Sequence, residues 1–123
     1  MVNVLLLFAL VLVSVEMVFQ PAPVFSLAGY TANVFLEFDH AYSAYTSETA
    51  EVQINTGAGW NTISTLNNTS AYNNNTLTTP WVNGNQIDLN PYLGQNNVQI
   101  RFTYDDGGQW AYGIAIDLSL IHI

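Results

Sequence analysis

Val98 to Leu120 reads VQIRFTYDDGGQWAYGIAIDLSL. In its first part Val98, Ile100, Phe102 and Tyr104 alternate with Gln99, Arg101 and Thr103; in its last, Trp110, Tyr112, Ile114, Ile116, Leu118 and Leu120 alternate with Ala111, Gly113, Ala115, Asp117 and Ser119. A period of two sends successive side chains to opposite faces of an extended chain, so each part reads as a strand with one face in a core. Asp105-Asp106-Gly107-Gly108 between them has the residues of a tight reversal, which predicts a hairpin. Trp110 and Tyr112, in phase with Ile114 and Leu118, belong to its core face. The other face of the last strand is nearly all small, which lets another layer approach closely.

The same alternation recurs upstream. Val34, Leu36 and Phe38 alternate with Phe35, Glu37 and Asp39, and Ala50, Val52 and Ile54 with Glu51, Gln53 and Asn55. Gly57-Ala58-Gly59 then leads to Trp60 and a strand ending near Leu66, a second hairpin. A short strand is expected at Ile87–Leu89, followed by a turn from Asn90 to Asn97 built on Pro91 and Gly94. Asn67 to Thr79 is almost wholly Asn, Thr and Ser, with sequons at Asn67, Asn68 and Asn74, and reads as a solvated loop. Outside the N-terminus no segment has helical periodicity, so the fold class is all-β, an antiparallel sandwich of six or seven strands.

Composition bounds the function. The 123 residues carry one base, Arg101, against nine acids, a net charge of −8. Nothing here could neutralise a phosphate backbone, which excludes nucleic acid, and an anionic membrane surface is disfavoured for the same reason. Asn, Thr, Gln and Ser supply solubility instead, as on extracellular β-proteins, and suit contacts with neutral neighbours or glycans. There is no cysteine, hence no disulfide framework and no thiolate chemistry. His40 and His122 are the only histidines and no Gly-x-Ser-x-Gly elbow occurs, so the chain reads as non-enzymatic, with no catalytic residue and no cofactor. Glu37, Asp39 and Asp117 are weak calcium candidates, because Ca²⁺ takes about six to eight oxygens and this set is thin. Asp105 and Asp106 fit a turn better than a calcium loop. Trp81, beside Pro80 at the end of the polar loop, is the one candidate glycan contact.

Met1 to Phe19, MVNVLLLFALVLVSVEMVF, is an almost unbroken apolar run with no Lys or Arg. A secretory signal peptide calls for a basic n-region, which is missing. As a helix the run would reach about 28 Å, just short of a bilayer core of about 30 Å, so no stable membrane span is expected. As a strand buried on both faces it would extend about 60 Å, with Ser14 and Glu16 marking where it leaves its groove. The chain therefore divides into an apolar segment at 1–19, a hinge with Pro21 and Pro23 and a lead-in strand at 20–30, and a sandwich domain at 31–123.

Four stretches carry a family resemblance: PVFSLAGYTANVFLEFDH (Pro23–His40), EVQINTGAGW (Glu51–Trp60), IDLNPYLGQNNVQIRF (Ile87–Phe102) and WAYGIAIDLSLI (Trp110–Ile121). Together they resemble the jelly-roll domains of secreted bacterial proteases and adhesins, related to MAM and immune-inhibitor-A modules. The resemblance implies a jelly-roll or immunoglobulin-like sandwich and an export route to the cell surface, without implying an activity. Two departures stand out. Asp117 is followed by Leu118 where the family has Ile-Asp-Asp or Ile-Asp-Asn, which thins any acid cluster. The apolar run takes the place of the family's preceding strands, so the sandwich looks short of a strand. A groove lacking a strand and a spare apolar strand predict donation between copies, with Val4, Leu6, Phe8, Leu10, Leu12, Val15 and Val18 as assembly residues. Head-to-tail donation gives an open, pilus-like homopolymer. The alternatives are a fibre with a helical N-terminal core and a glycan-binding module anchored by the same segment.

Overall fold

The computed structural model describes residues 4–6, 10–12, 17–18, 24–44, 47–73, 76–108 and 113–122, with 4–18, 72–73 and 118–120 given by backbone pairing. Among these residues the strands, in chain order, are β1 (Val4–Leu6), β2 (Leu10–Leu12), β3 (Met17–Val18), β4 (Phe35–Ser43), β5 (Thr49–Asn55), β6 (Trp60–Thr65), β7 (Ala71–Asn73), β8 (Thr76–Thr78), β9 (Val82–Asp88), β10 (Gln99–Asp105) and β11 (Gly113–His122). All pairings are antiparallel. One sheet runs β1-β11-β4-β9, with β2 also on β11; the second runs β3-β10-β5-β6; β7 and β8 pair with each other.

The alternation read from the sequence builds the core. Leu36 and Phe38 from the first sheet with Val34 just before it, and Ala50, Val52, Ile54, Ile100, Phe102 and Tyr104 from the second with Val98 just before β10, are all buried. Two edge-on aromatic pairs join the sheets: Phe38 with Phe102, centroids 5.1 Å apart at 72°, and Tyr42 with Tyr104, 6.2 Å apart at 90°. Such edge-to-face contacts set the ring quadrupoles favourably across an interface of roughly 10 Å depth.

Three expectations change. β10 and β11 do not form a hairpin: β10 pairs β5 and β3, whereas β11 pairs β4, β1 and β2. Alternation reports which side chains face a core and is silent about which of two sheets a strand joins, so the Asp105–Gly108 segment passes between sheets. Asp105 and Asp106 accept the N–H groups of Gly107 (2.7 Å) and Gly108 (2.8 Å), which fixes the turn. Secondly, the phase of β11 slips. A bulge between Asp117 and Leu120 adds a residue against β4, and Ile121 becomes fully buried, as an odd insertion in a period-two pattern requires. Thirdly, the polar loop contains the β7–β8 hairpin, with Tyr72 opposite Leu77, and the Asn90 turn is a 3₁₀ turn over Asn90–Tyr92 with Pro91 in its first positions. The β5–β6 hairpin is present as expected. Trp110 and Tyr112 lie outside the described residues.

Gly107 has φ +66°, and a Cβ there would sit 2.5 Å from Ser47 Oγ and 3.0 Å from the Ser47 carbonyl oxygen; Gly108 has φ +71° with open space around it. Left-handed backbone alone costs a residue with Cβ about 1–2 kcal/mol. Gly108→Ala is expected to lose about that amount and Gly107→Ala measurably more, read as urea midpoints of the two variants. Equal losses would show that Ser47 yields freely.

Candidate functional site

The two long sides of the sandwich differ. On one side the apolar run closes both sheets. Val4–Leu6 stand opposite His122, Ile121 and Leu120, and Leu10–Leu12 opposite Ile116, Ala115 and Ile114, both in the same register along β11. The chain then changes sheet: Met17 and Val18 stand opposite Tyr104 and Thr103 on β10. The interval between Leu12 and Met17 contains Ser14 and Glu16. Leu10 and Leu12 face partners of the core, Ile116 and Ile114; beyond the β11 bulge it is Leu5 that stands opposite the buried Ile121. Of the expected assembly residues, Val4, Leu6, Leu10, Leu12 and Val18 lie in these strands; Phe8 and Val15 lie outside the described residues. Further along the same edge of β10, Phe25 and Val98 exchange backbone hydrogen bonds of 2.9 and 2.8 Å, and the buried Leu27 donates to Gln95 O at 2.8 Å.

On the other side β6 and β9 are the outer strands, and a cleft of about 400 Å³ opens between them. Phe38, Leu66 and Ile87 form apolar parts of its wall, and Ser64, Asn67, Asn85 and Gln86 polar parts. Among the described residues no Asp, Glu, Lys or Arg lines it. Register explains why polar groups stand there. Asn85 is opposite Phe38 and Ser64 opposite Val52, and cross-strand partners share a face, so both occupy core-facing positions. The β9 ladder slips between the partners of Phe38 and His40, with Gly84 at φ +69° and its N–H held by Asp39 Oδ1 at 2.7 Å. Such a bulge re-aims the side chain beside it. Asn85 Nδ2 thereby reaches Phe38 O (3.0 Å), Val82 O (2.9 Å) and His40 Nδ1 (2.9 Å).

His40 is thus a buried member of this wall, 5% exposed. Its Nε2 lies 3.4 Å from Asn67 O. Because an amide NH₂ only donates, Nδ1 is bare and the ring proton sits on Nε2. Burial pushes the His40 pKa below 6.5, and the Asn67 carbonyl opposes that in part. Past His40, the loop replaces β9 along β4: Thr69 N–H donates to Tyr42 O at 2.7 Å, Tyr42 N–H to Thr69 Oγ1 at 2.9 Å, and Ala44 N–H to Asn68 Oδ1 at 3.2 Å. The polar segment expected to be wholly solvated is in part a sheet edge made of side chains.

The remaining candidates fall elsewhere. Trp81 is 45% exposed, immediately before Val82, which lines the cleft. Trp60 lies under Arg101, whose guanidinium carbon is 4.2 Å from the ring centroid. Asp39 and Asp117 are directly opposed across β4 and β11, whereas Glu37 lies opposite Leu120, with Oε2 3.0 Å from His122 Nε2. That nitrogen makes no hydrogen bond among the described residues, so the contact is one of proximity. Among the described residues no three His, Asp or Glu converge with the spacing of a metal site. Tyr42 buries its hydroxyl without a hydrogen-bond partner among the described residues; burial, then Glu48, then Tyr104 push the Tyr42 pKa up to about 12.

Sequence reasoning missed Asn85, Ser64 and the loop contacts of Asn68 and Thr69. The available signal was the Asn83-Gly84 dipeptide, which marks a bulge or turn inside a segment otherwise able to form a strand. Comparison with protein-family models, curated proteins and solved structures finds no match for this chain.

Proposed function

We propose that the chain is a non-enzymatic structural subunit of an extracellular, pilus-like fibre, a jelly-roll sandwich that polymerises by exchange of its N-terminal strand between copies. The observation that supports this reading is the placement of the apolar run as the outer strand of both sheets on one side. Without the run, β11 and β10 would expose two long ladder edges and the core between them, a template for pairing with another chain. The same segment from a neighbour makes the same contacts, so exchange costs no contact that the closed monomer has.

The linkage favours exchange. From Val18 to Phe25 the chain takes seven steps, while their partners, Thr103 on β10 and Val98 just before it, are five apart. The interval is longer than the stretch between its partners, and Pro21 and Pro23 within it have no N–H to give a ladder. That is where a hinge would swing, with the sandwich from Phe25 onward left intact. Head-to-tail repetition of one such joint does not close on itself and gives a filament.

A cysteine trap tests the reading. Val11 stands opposite Ala115, and antiparallel partners have Cα atoms about 4.5–5.5 Å apart, within disulfide range. The native chain has no cysteine to interfere. Oxidised Val11→Cys/Ala115→Cys protein is expected to run as a ladder of covalent multimers that reductant collapses to monomer, and microscopy should show fibres of the full chain and none from a chain beginning at Gln20. Closure within single chains, leaving monomer alone on the gel, would reject exchange and leave a self-complemented sandwich.

A further inference from the structure

We propose that the cleft between β6 and β9 is a binding site for a neutral carbohydrate. Its construction is unlike the rest of the interior. Core-facing positions elsewhere on β4, β5 and β10 hold Leu36, Phe38, Val52, Ile54, Ile100 and Phe102, whereas the two outer strands bring Ser64 and Asn85 to such positions beside the apolar Ile87. A protein gains nothing in stability from polar groups there unless they are hydrogen-bonded. Asn85 is bonded, in a way that sets the cleft wall. Asn67 and Gln86 stand exposed at the mouth.

Chemistry selects the ligand class. Amide side chains offer a donor and an acceptor side by side, the match for adjacent sugar hydroxyls. The apolar wall of Phe38, Leu66 and Ile87 suits the C–H face of a pyranose. Among the described residues no Asp, Glu, Lys or Arg lines this cleft, so it offers a charged ligand no fixed countercharge, and the net charge of −8 disfavours polyanions at long range. The volume, about 400 Å³, falls in the range of small-molecule sites, about 300–1,000 Å³. Trp81 stands exposed one residue before the lining residue Val82 and does not itself line the cleft. The site lies on the edges opposite those taken by the apolar run, so it stands independently of strand exchange and stays open in a chain whose other side is occupied.

Ligand-observed saturation-transfer NMR tests this on the full chain, whether monomeric or assembled, using cellobiose, mannobiose and N,N′-diacetylchitobiose, with digalacturonate as the charged comparator. Transfer to at least one neutral disaccharide and none to digalacturonate is expected. Gln86→Ala and Asn67→Ala should each weaken that binding by about tenfold, a loss in the range of one or two hydrogen bonds. Both side chains are exposed, so unchanged urea midpoints will separate lost binding from lost folding. Absence of transfer to all three neutral sugars, equal transfer to digalacturonate, or binding indifferent to both substitutions overturns the proposal.

Discussion

Phe102→Ala is expected to destabilise the chain by about 3–5 kcal/mol, the range for emptying a fully buried aromatic position. Phe102 is completely buried near the middle of β10, and its ring meets Phe38 of the facing sheet edge-on at 5.1 Å. Truncation removes apolar area and also the contact that holds the two sheets in register, and neighbours on a hydrogen-bonded sheet cannot collapse fully into the space. Domains of this size have about 5–15 kcal/mol of stability in total, so the variant loses a large part of it. Phe35→Ala is the matched comparison. Phe35 has the same side chain but sits on the outer face of β4, half-buried and stacked on His122 at 4.6 Å, and its loss should cost about 1 kcal/mol, the scale of a ring pair. Urea titration of both variants measures the difference. Comparable midpoints would mean that the period-two reading has assigned the faces wrongly.

That contrast also marks how far the sequence could be read. Alternation identified the inward residues of β4, β5 and β10 because burial of one face is a local property, visible at every second position. Sheet membership is not local. Whether Asp105–Gly108 returns a strand to its neighbour or sends it across the core depends on partners about fifty residues away, such as Thr49–Asn55 for β10, and the turn residues suit either route. Bulges are the second blind spot. One extra residue between Asp117 and Leu120 moved the core position to Ile121, and one beside Gly84 turned Asn85 inward. The cleft was hidden because its parts, Ser64, Asn67 and Asn85, are residue types that composition assigns to loops and outer faces. Only the register against Val52 and Phe38 makes them neighbours of a core.

Lowering the pH from 7 is expected to destabilise the native chain through His40, with the loss setting in as pH falls below 6.5, the ordinary value for the ring in an unfolded chain. The folded ring is held below that value, first by burial, against a smaller opposing effect of the Asn67 carbonyl. Over the window between the two values the unfolded chain binds a proton that the folded chain does not, so stability falls as pH falls. It is full above the unfolded pKa and lost through the folded one. Geometry supplies a second cause in the same direction. Asn85 Nδ2 already points at Nδ1 from 2.9 Å, and protonation would set donor against donor. Turning the amide to present its oxygen would abandon the carbonyls of Phe38 and Val82, which it now serves at 3.0 and 2.9 Å. The other histidine, His122, lies on the outer face against Phe35 and Glu37, so His40→Gln isolates the effect and should flatten the stability profile between pH 5 and 7, set by the histidine range. Asn85→Asp should reverse its sign. A carboxylate facing Nδ1 favours the imidazolium and raises the folded pKa above the unfolded one, so the gain is present at low pH and lost as pH rises through the folded value. The baseline of this variant will be lower, because two carbonyls lose their donor at about 1–3 kcal/mol each. Urea midpoints across this range decide the matter: parallel profiles for the native chain and His40→Gln would remove His40 from the acid response. A reversed slope in Asn85→Asp would place the proton at Nδ1, in the wall of the same cleft, and saccharide affinity should then fall with pH along the native curve.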